Sequence, residues 1–375
     1  MRFGLIGGDA RYLARFRKQL LLAIRDRGHE VHAFAGAPVA DVEDELNRDG
    51  ITVHSFPLER RGVSPLGEVP TMASLARALT EVRPDIVLSY TPKLAAYGTY
   101  AAALARVPRR YAMMSGLGTA FTVGTRSAVT LVAGGMLRGA FSLCGGVFFH
   151  NPDDRDTLRD RRVLPVATEA IVVNGSGIDL DQYPQRPLPE GRPTFLMVGR
   201  MHREKGVGEL LDVAFESRGE LRIRLVGPLE SGSEVIERRL REAASRGFIE
   251  WPGSVADVRP ELASSSVFVL PSYREGTPRS VLEAMATGRA VITTDAPGCR
   301  ETVDGTNGIL VPPRDAPALH DAMNRLAASP AEVHAMGARS RTLAETKYDV
   351  HRVNSSMMLS MRNFRPLWVR PSTKS

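Results

Sequence analysis

Short apolar runs recur along the first half of the chain, and amphipathic stretches separate them. Over residues 11–27 the apolar positions recur with a period of about 3.6, which is typical of a helix with one buried face. The alternation of strand and helix predicts an α/β fold with a parallel sheet covered by helices on both faces. Predicted strands lie at residues 2–6, 31–35, 51–57, 86–90, 111–114 and 147–149.

The second half repeats this alternation, which predicts a second doubly wound sheet. Residues 183–193 contain four prolines and are predicted to link the two domains. Helices are expected at residues 316–328 and 330–346, and a last one at 349–363. Predicted strands lie at residues 195–198, 223–226, 249–251, 267–270, 291–293 and 309–311.

Ligands of such sheets bind beyond the carboxyl ends of the strands, so the loops at residues 7–9, 89–93 and 115–121 are candidates. The first of these loops lacks the G-x-G-x-x-G pattern, which argues against a dehydrogenase. The apolar stretch 128–149 contains Arg138 and several glycines, so it is predicted to be a helix followed by a strand, not a membrane span.

Two glutamates stand in a distinctive block that follows the predicted strand 267–270. Glu275 lies in a loop, and Glu283 lies inside a helix for which Thr277 is the predicted N-cap, Pro278 the first residue and Gly288 the end. A helix N-terminus suits a phosphate, and carboxylates can accept hydrogen bonds from sugar hydroxyls. The alternative is that both glutamates are solvated charges at a helix end.

Arg200 and Lys205 form a second candidate site in the segment 198–207, between a strand and a helix. Two cations at the carboxyl edge of a sheet suit the charge that develops on a departing diphosphate. An arginine and a lysine in a loop can equally be solvent-facing.

The Glu-x7-Glu block around Glu275 and Glu283, together with the G-R-x4-K-G element around Arg200 and Lys205, resembles glycosyltransferase family 4. The resemblance implies a GT-B fold, in which two Rossmann-like domains face a cleft and the terminal helix crosses back to the first domain. It also implies a retaining transferase in which Glu275 contacts the transferred sugar, Glu283 binds the ribose, and Arg200 and Lys205 hold the diphosphate. The other donor-binding residues implied are Gly199, Gly227, Ser254, Val255, Gly276 and Thr277.

The expected domains are residues 1–180 with helix 349–363 for the acceptor, residues 181–348 for the nucleotide sugar, and a basic tail at 364–375. The first half is similar to a bacterial subgroup that builds capsule, O-antigen and lipid-linked oligosaccharides, although residues 118–121 depart from its pattern. Some family members present a histidine to the sugar, and the matching loop 115–121 contains none. The candidate acceptor-binding residues are Gly7, Gly8, Lys93, Gly116, Gly118 and Arg126.

Neither a cofactor nor a divalent metal is expected. No Asp-x-Asp element follows a predicted strand, and the Asp179-Leu180-Asp181 sequence lies near the linker. The resemblance implies that Arg200 and Lys205 carry the leaving-group charge and that the β-phosphate takes the proton of the acceptor hydroxyl.

Composition and net charge indicate where in the cell the protein acts. Hydrophobic residues make up 43% and charged residues 24%, as in ordinary globular proteins, and two distant cysteines fit a reducing cytoplasm. The net charge is +7, with the basic excess in residues 1–180 and in the tail from His351. This favours contact with an anionic membrane surface or a phosphorylated substrate over nucleic acid, for which no motif is present. The alternative is that the basic surface only keeps the protein soluble. The same two interpretations apply to the first helix, whose basic residues can contact lipid headgroups or a substrate phosphate or can form a solvated face: Arg11, Arg15, Arg17 and Lys18.

The sequence therefore predicts transfer of a hexose or N-acetylhexosamine from a nucleotide sugar, with UDP as the expected nucleotide, to a lipid-diphosphate-linked saccharide at the inner face of the cell membrane. Three alternatives remain open: a sugar-nucleotide epimerase of the same fold, a transferase with a small soluble acceptor, and a non-catalytic sugar-nucleotide binding protein.

Overall fold

The structure is a computed structural model that describes residues 1–36, 38–58, 68–117 and 128–361. The chain forms two compact units. One comprises residues up to Ser176 together with the segment from His351, and the other runs from Gly177 to Val350.

The first unit contains a seven-stranded parallel sheet in the order β3-β2-β1-β4-β5-β6-β7. Most strand positions are buried on both faces, as the continuous apolar runs predict. The strands are β1 Arg2–Gly7, β2 Glu30–Ala35, β3 Ile51–Ser55, β4 Ile86–Tyr90, β5 Arg109–Met114, β6 Gly146–Phe149 and β7 Ala170–Val172. The helices are α1 Ala10–Arg25, α2 Ala40–Arg48, α3 Val69–Val82, α4 Pro92–Leu104, α5 Ala128–Ser142 and α6 Pro152–Asp160.

Helix α1 does not present all of its basic residues to solvent. Asp9 caps the helix by accepting a 2.8 Å hydrogen bond from the backbone N–H of Arg11. Arg11 and Arg15 are exposed, but Lys18 pairs with Glu45 and Asp49 at 2.5 and 2.6 Å. Arg17 is only 1% exposed.

The expectation of a surface position for Arg17 is therefore wrong. Its guanidinium donates to His150 Nε2 at 3.0 Å and to Met113 Sδ, and it lies over the Tyr90 ring with Cζ 4.6 Å from the centroid. The guanidinium faces the sheet and is shielded from water. The polar and aromatic groups around it take the place of the water molecules that would hydrate an exposed cation.

The second unit contains a six-stranded parallel sheet in the order β10-β9-β8-β11-β12-β13. Its strands and helices enclose one large apolar core. The strands are β8 Thr194–Val198, β9 Arg222–Val226, β10 Glu250–Gly253, β11 Val267–Leu270, β12 Ala290–Thr294 and β13 Gly308–Val311. The helices are α7 Val207–Ser217, α8 Glu234–Ser245, α9 Arg259–Ala263, α10 Arg279–Thr287, α11 Ala316–Ala328 and α12 Pro330–Leu343.

The proline-rich segment 183–193 lies within the second unit, so it does not form the connection between the units. Arg289 is fully buried and donates to the carbonyls of Arg186 and Pro187 at 2.9 and 3.0 Å. The backbone N–H of Arg186 donates to Thr287 O. These bonds attach the segment to α10 and the start of β12.

The last helix, α13 Val350–Ser360, belongs mainly to the first unit. Val353, Met357, Met358 and Met361 are buried in a core cluster with residues of α1 and of the first sheet. This confirms the prediction that a terminal helix returns to the first unit, although the helix ends before residue 363. The basic tail at 364–375 lies outside the described residues.

The stretch 128–149 folds as α5 followed by β6, as predicted. Among the residues that the structure describes, we find no helix with the length and apolar character that crossing a membrane requires.

Candidate functional site

The second sheet has a topological switch point between β8 and β11. From β8 the chain continues to β9 on one side, and from β11 it continues to β12 on the other. The loops that follow β8 and β11 therefore lie next to each other at the carboxyl edge, which is where open α/β sheets bind ligands. These two loops carry Arg200, Lys205 and Glu275.

The loop after β8 has a defined conformation. His202 Nδ1 accepts from the N–H of Glu204 at 3.3 Å, and a short 3-10 turn, Arg203–Lys205, follows. Gly206 has φ +71°, and a Cβ there would lie 2.1 Å from Pro271 O. Only glycine fits so close to the β11 loop. Lys205 is thereby directed toward the residues that follow β11.

Lys205 forms an ion pair with Glu275. The side chains are 23% and 14% exposed, respectively. The buried Ser272 donates its hydroxyl to Glu275 Oε1 at 2.9 Å. Lys205 lies 70 residues from Glu275 along the chain, so no local pattern in the sequence pairs the two side chains. The sheet topology brings the two together.

The backbone around Glu275 is also fixed from the β12 side. The N–H of Glu275 donates to Pro297 O at 2.9 Å. Gly298 has φ +81°, and a Cβ there would lie 2.2 Å from Glu275 O and 2.6 Å from Gly276 O. The Glu275–Gly276 segment is therefore clamped between the loops that follow β8 and β12.

Glu283 is buried within α10, with 3% exposure. Its Oε1 accepts from the Tyr183 hydroxyl at 3.0 Å and from Arg279 Nε at 3.1 Å. The alternative of a solvated helix-end charge is therefore wrong for Glu283. Tyr183 was not predicted as a site residue, since nothing in the sequence relates it to α10.

The predicted start of α10 needs correction. Pro278, not Thr277, is the N-cap of α10. The Pro278 carbonyl accepts the first helical bonds, from Val281 N at 3.0 Å and Leu282 N at 3.3 Å. Pro278 has an extended backbone with ψ 107°, so the helix begins at Arg279, and it ends before Gly288 as predicted.

Three predicted donor-site loops adjoin one another at the ends of β8, β9 and β10. Gly199 N donates to Val226 O at 2.9 Å, and Gly227 N donates to Gly253 O at 2.8 Å. Gly227 has φ +143°, and a Cβ there would lie 1.8 Å from Gly199 O, so glycine is required. Ser254 and Val255 follow directly after β10. Nucleotide contact by these residues stays a prediction.

Arg200 lies in the same region and forms a 2.7 Å contact between Nη1 and Glu230 Oε1. Its side chain is 60% exposed. Glu230 stands in the loop after β9 and was missed by the sequence reasoning, because an acidic residue in a loop carries no distinguishing pattern.

Tyr273 and Cys299 lie in the loops that hold the Lys205–Glu275 pair, but neither side chain is ionised and available as a nucleophile. The Tyr273 hydroxyl donates to Glu209 Oε1 at 2.6 Å, and burial, with that bond, raises the pKa of Tyr273 to about 12. Burial, with the charge of Glu275, raises the pKa of the Cys299 thiol to about 12. Both groups are therefore neutral at physiological pH and serve to pack and position the loops.

Three of the predicted acceptor residues lie at the switch point of the first sheet, between β1 and β4. Gly7 is the last residue of β1 and Gly8 follows it. A Cβ on Gly7 would lie 2.3 Å from Leu13 Cδ2, so this glycine allows α1 to approach the strand. Lys93 opens α4 and contacts the buried carboxylate of Glu68 at 2.5 Å. Thr91, the residue before α4, has an unusual φ of +86°.

The other acceptor candidates are less defined. Gly116 follows β5 with φ +143°. Gly118 and Arg126 lie outside the described residues. The structure therefore brings Gly7, Gly8 and Lys93 to one edge of the sheet. Their role in acceptor binding stays a prediction.

No metal-binding cluster occurs in the described part of the chain: no three His, Cys, Asp or Glu side chains there are grouped to hold an ion.

Two family profiles match the chain. Residues 13–175 match the glycosyl transferase 4-like domain, and residues 192–329 match the glycosyl transferases group 1. The first match falls in the first unit and the second in the second unit.

Individual glycosyltransferases are also similar in sequence to this chain. The chain is 26% identical over 318 residues, 81% of this chain and 83% of the relative, to the N,N'-diacetylbacillosaminyl-diphospho-undecaprenol alpha-1,3-N-acetylgalactosaminyltransferase of Campylobacter jejuni. It is 31% identical over 169 residues to the putative teichuronic acid biosynthesis glycosyltransferase TuaC of Bacillus subtilis, covering 44% of this chain and 41% of TuaC.

The fold is similar to that of HepE from Anabaena, solved in complex with UDP. The TM-score is 0.78 at 18% identity, with 96% of this chain and 99% of HepE covered. This similarity confirms the predicted GT-B class of two Rossmann-like units. The family matches, the relatives and the fold lead to one conclusion: the chain belongs to glycosyltransferase family 4.

Proposed function

We propose that this glycosyltransferase moves a hexose or N-acetylhexosamine from a UDP-sugar to a saccharide carried on a lipid diphosphate, with retention of configuration and without a divalent metal. The observation that carries the proposal is the cluster at the second switch point, where Lys205 pairs with Glu275 and Arg200 stands in the same loop. The buried Glu283 lies just over one turn into the following helix.

The two cations account for the leaving group. As the bond between the sugar and the diphosphate breaks, negative charge builds up on the phosphate oxygens. Arg200 and Lys205, on the loop between β8 and α7, would stabilise that charge from fixed backbone positions. Side-chain cations supply here the positive charge that a divalent ion supplies in other transferases, which is the basis for proposing a metal-independent reaction.

The two carboxylates account for the sugars. Glu275, held by Lys205 and Ser272, would accept hydrogen bonds from hydroxyls of the transferred sugar. Glu283 uses Oε1 for Tyr183 and Arg279, and its carboxylate would accept from the ribose hydroxyls. The acceptor hydroxyl would attack the sugar on the side from which the diphosphate departs, and a β-phosphate oxygen would take its proton.

Donor and acceptor identity rest on different observations. UDP is proposed because the structurally similar HepE was solved with UDP. A lipid-diphosphate acceptor is proposed because the Campylobacter relative is named for one. In this chain Lys93, with Gly7, Gly8, Gly116, Gly118 and Arg126, would bind that acceptor, and the basic residues of the first half and the tail would hold the protein at the inner face of an anionic membrane.

The donor site can be tested by calorimetric titration of the full chain with UDP, GDP and ADP in the presence of EDTA, repeated with Glu283→Ala. We expect UDP to bind without metal and to bind at least tenfold more weakly to the variant, an estimate of about 1.4 kcal/mol for one hydrogen-bonded carboxylate. Absence of binding by all three nucleotides would contradict the assignment.

Stereochemistry and reaction class need a separate measurement. Proton NMR of the product with a lipid-diphosphate-linked acceptor should show the anomeric configuration of the donor. Incubation of the UDP-sugar without acceptor should leave its sugar unchanged, whereas conversion to an epimer would indicate an epimerase of the same fold.

A further inference from the structure

The two cations of the candidate donor site are paired with carboxylates that lie on opposite sides of β8. Arg200 contacts Glu230 in the loop after β9, and Lys205 contacts Glu275 in the loop after β11. Strands β9 and β11 flank β8 on either side. The two side chains that are proposed to grip one diphosphate are therefore each paired with a carboxylate on a different side of β8.

The backbone that carries Arg200 is attached to the β9 loop. Gly199 N donates to Val226 O at 2.9 Å, and Met201 N donates to Pro228 O at 2.8 Å. Met201 and Leu229 form a parallel bridge that extends the β8–β9 ladder. Arg200 and Glu230 thus stand on a continuous hydrogen-bonded frame, and any rearrangement between them involves side chains.

The backbone that carries Lys205 is attached to the other side. The carbonyl of Glu204 accepts from Tyr273 N at 2.9 Å. Ser272 Oγ, whose single proton is shared with Glu275 Oε1, lies 3.0 Å from the same carbonyl oxygen. The close approach of Gly206 to Pro271 O adds to this attachment. The loop after β8 is therefore divided, with one cation anchored toward β9 and the other toward β11.

The Arg200–Glu230 contact is well suited to exchange. It uses one guanidinium nitrogen, and Arg200 is 60% exposed. Glu230 Oε2 is buried and has no hydrogen-bond partner within the described part of the chain, so the pair lacks the two parallel bonds of the stronger geometry. Single contacts of exposed arginines contribute little to stability, because water screens them.

From this arrangement we propose that Glu230 is a counter-ion that competes with the donor diphosphate for Arg200. The inference rests on the proposed function, since it concerns the same nucleotide site. In the free protein Glu230 holds the guanidinium on the β9 side. A diphosphate carries more negative charge than one carboxylate and displaces it, so that Arg200 turns toward the phosphate while Lys205 reaches it from the β11 side. Glu230 therefore lowers the affinity for the donor and for the nucleoside diphosphate product.

The test is the dissociation constant of UDP for the wild-type chain and for Glu230→Gln, measured by calorimetry with EDTA. Glutamine has the shape of glutamate without its charge, so we expect UDP to bind about two- to fivefold more tightly, as the loss of a weak competing ion pair implies. Glu230→Ala should tighten binding to a similar extent. The thermal unfolding midpoint of each variant verifies that the fold is kept.

A matched control and a double variant separate this role from a general change of charge. Glu237→Gln removes a carboxylate of similar exposure, 33% against 32%, from a pair with Arg241 in the same unit, and it should leave UDP affinity unchanged. In an Arg200→Gln background, Glu230→Gln should no longer tighten binding, because the two effects act through one contact.

Weaker or unchanged UDP binding by Glu230→Gln would overturn the proposal, since it would mean that Glu230 orients Arg200 for the phosphate or has no influence on it. Tightening that persists in the Arg200→Gln background would overturn it as well. Failure of the proposed function appears differently: the wild-type chain then binds none of UDP, GDP and ADP, and there is no diphosphate with which Glu230 competes for Arg200.

Discussion

At the scale of single residues, the most informative feature is the Lys205–Glu275 pair, because it joins the two motifs that the sequence offers separately. Lys205 stands in the loop after β8 and Glu275 in the loop after β11. Ser272 and Lys205 both contact Glu275, so its carboxylate is held at a defined position. Residues whose geometry is fixed in this way can act on a substrate without reorganising first.

Replacement of Lys205 by Met, or of Glu275 by Gln, should lower kcat about a hundredfold to a thousandfold, the cost of removing one group that stabilises transition-state charge. The measurement is the initial rate of sugar transfer from the UDP-sugar, with circular dichroism to verify the fold. Arg325→Met is the control, since Arg325 is also ion-paired, with Glu332, but lies on α11 and belongs to neither motif. Near-normal rates in both purified site variants would falsify the assignment.

At the scale of elements, α1 and α13 meet the first sheet around a buried cation. Arg17 of α1 contacts Met113 of β5, Met357 of α13 and His150 at the end of β6. Since the arginine donates to His150 Nε2, the imidazole must be neutral. Burial, and then the charge of Arg17, lower the pKa of His150 from 6.5 to about 3.

This neutral histidine makes the stability of the chain depend on pH. In the unfolded chain His150 binds a proton below about pH 6.5, whereas the folded protein excludes it until about pH 3, so stability falls as the pH decreases between these values. From pH 7.5 to 5.5 the loss attributable to His150 should be about 1–2 kcal/mol. His150→Gln, which keeps an acceptor for Arg17, should remove that part of the dependence.

The measurement is the thermal unfolding midpoint of the wild-type chain and of His150→Gln at both pH values. His334→Gln, which changes an exposed histidine of α12, serves as the control and should behave as the wild type. Equal pH dependence in the wild type and in His150→Gln would show that the histidine is protonated in the folded state or exposed to solvent.

At the scale of the whole molecule, charge is distributed unevenly along the chain. Basic residues exceed acidic ones in residues 1–180 and in the tail from His351, whereas acidic residues are in slight excess between them. Basic segments are attracted to anionic lipid over distances of about a Debye length, which salt shortens. This distribution motivates the proposed attachment to a membrane.

We expect the full chain to sediment with vesicles that contain anionic phospholipid at low ionic strength and to be released at about 0.5 M salt. Vesicles of zwitterionic lipid should retain little protein. Replacement of Arg362, Arg365, Arg370 and Lys374 by Gln should weaken the attachment, because it removes four positive charges from the tail. Equal recovery with both kinds of vesicle would contradict an electrostatic attachment.

The sequence by itself determined the elements, because strand and helix follow from the local spacing of apolar residues. It predicted β4 and β11 with the observed bounds. The motifs around Arg200 and Glu275 indicated the family, and the resemblance implied that the terminal helix returns to the first unit. Both sheets have their switch points beside the predicted loops, since strand order in α/β folds obeys general rules of connection.

The tertiary structure alone decided which distant residues meet. The pairs Lys205–Glu275, Arg200–Glu230 and Tyr183–Glu283 join residues that are 30 to 100 positions apart. Local patterns cannot predict such pairs, because they depend on strand order and on the loops that glycines such as Gly206 allow to approach. The same reason explains the burial of Arg17: its position on α1 is periodic, but only the packed sheet, with His150 and Met113, shows that this face is enclosed.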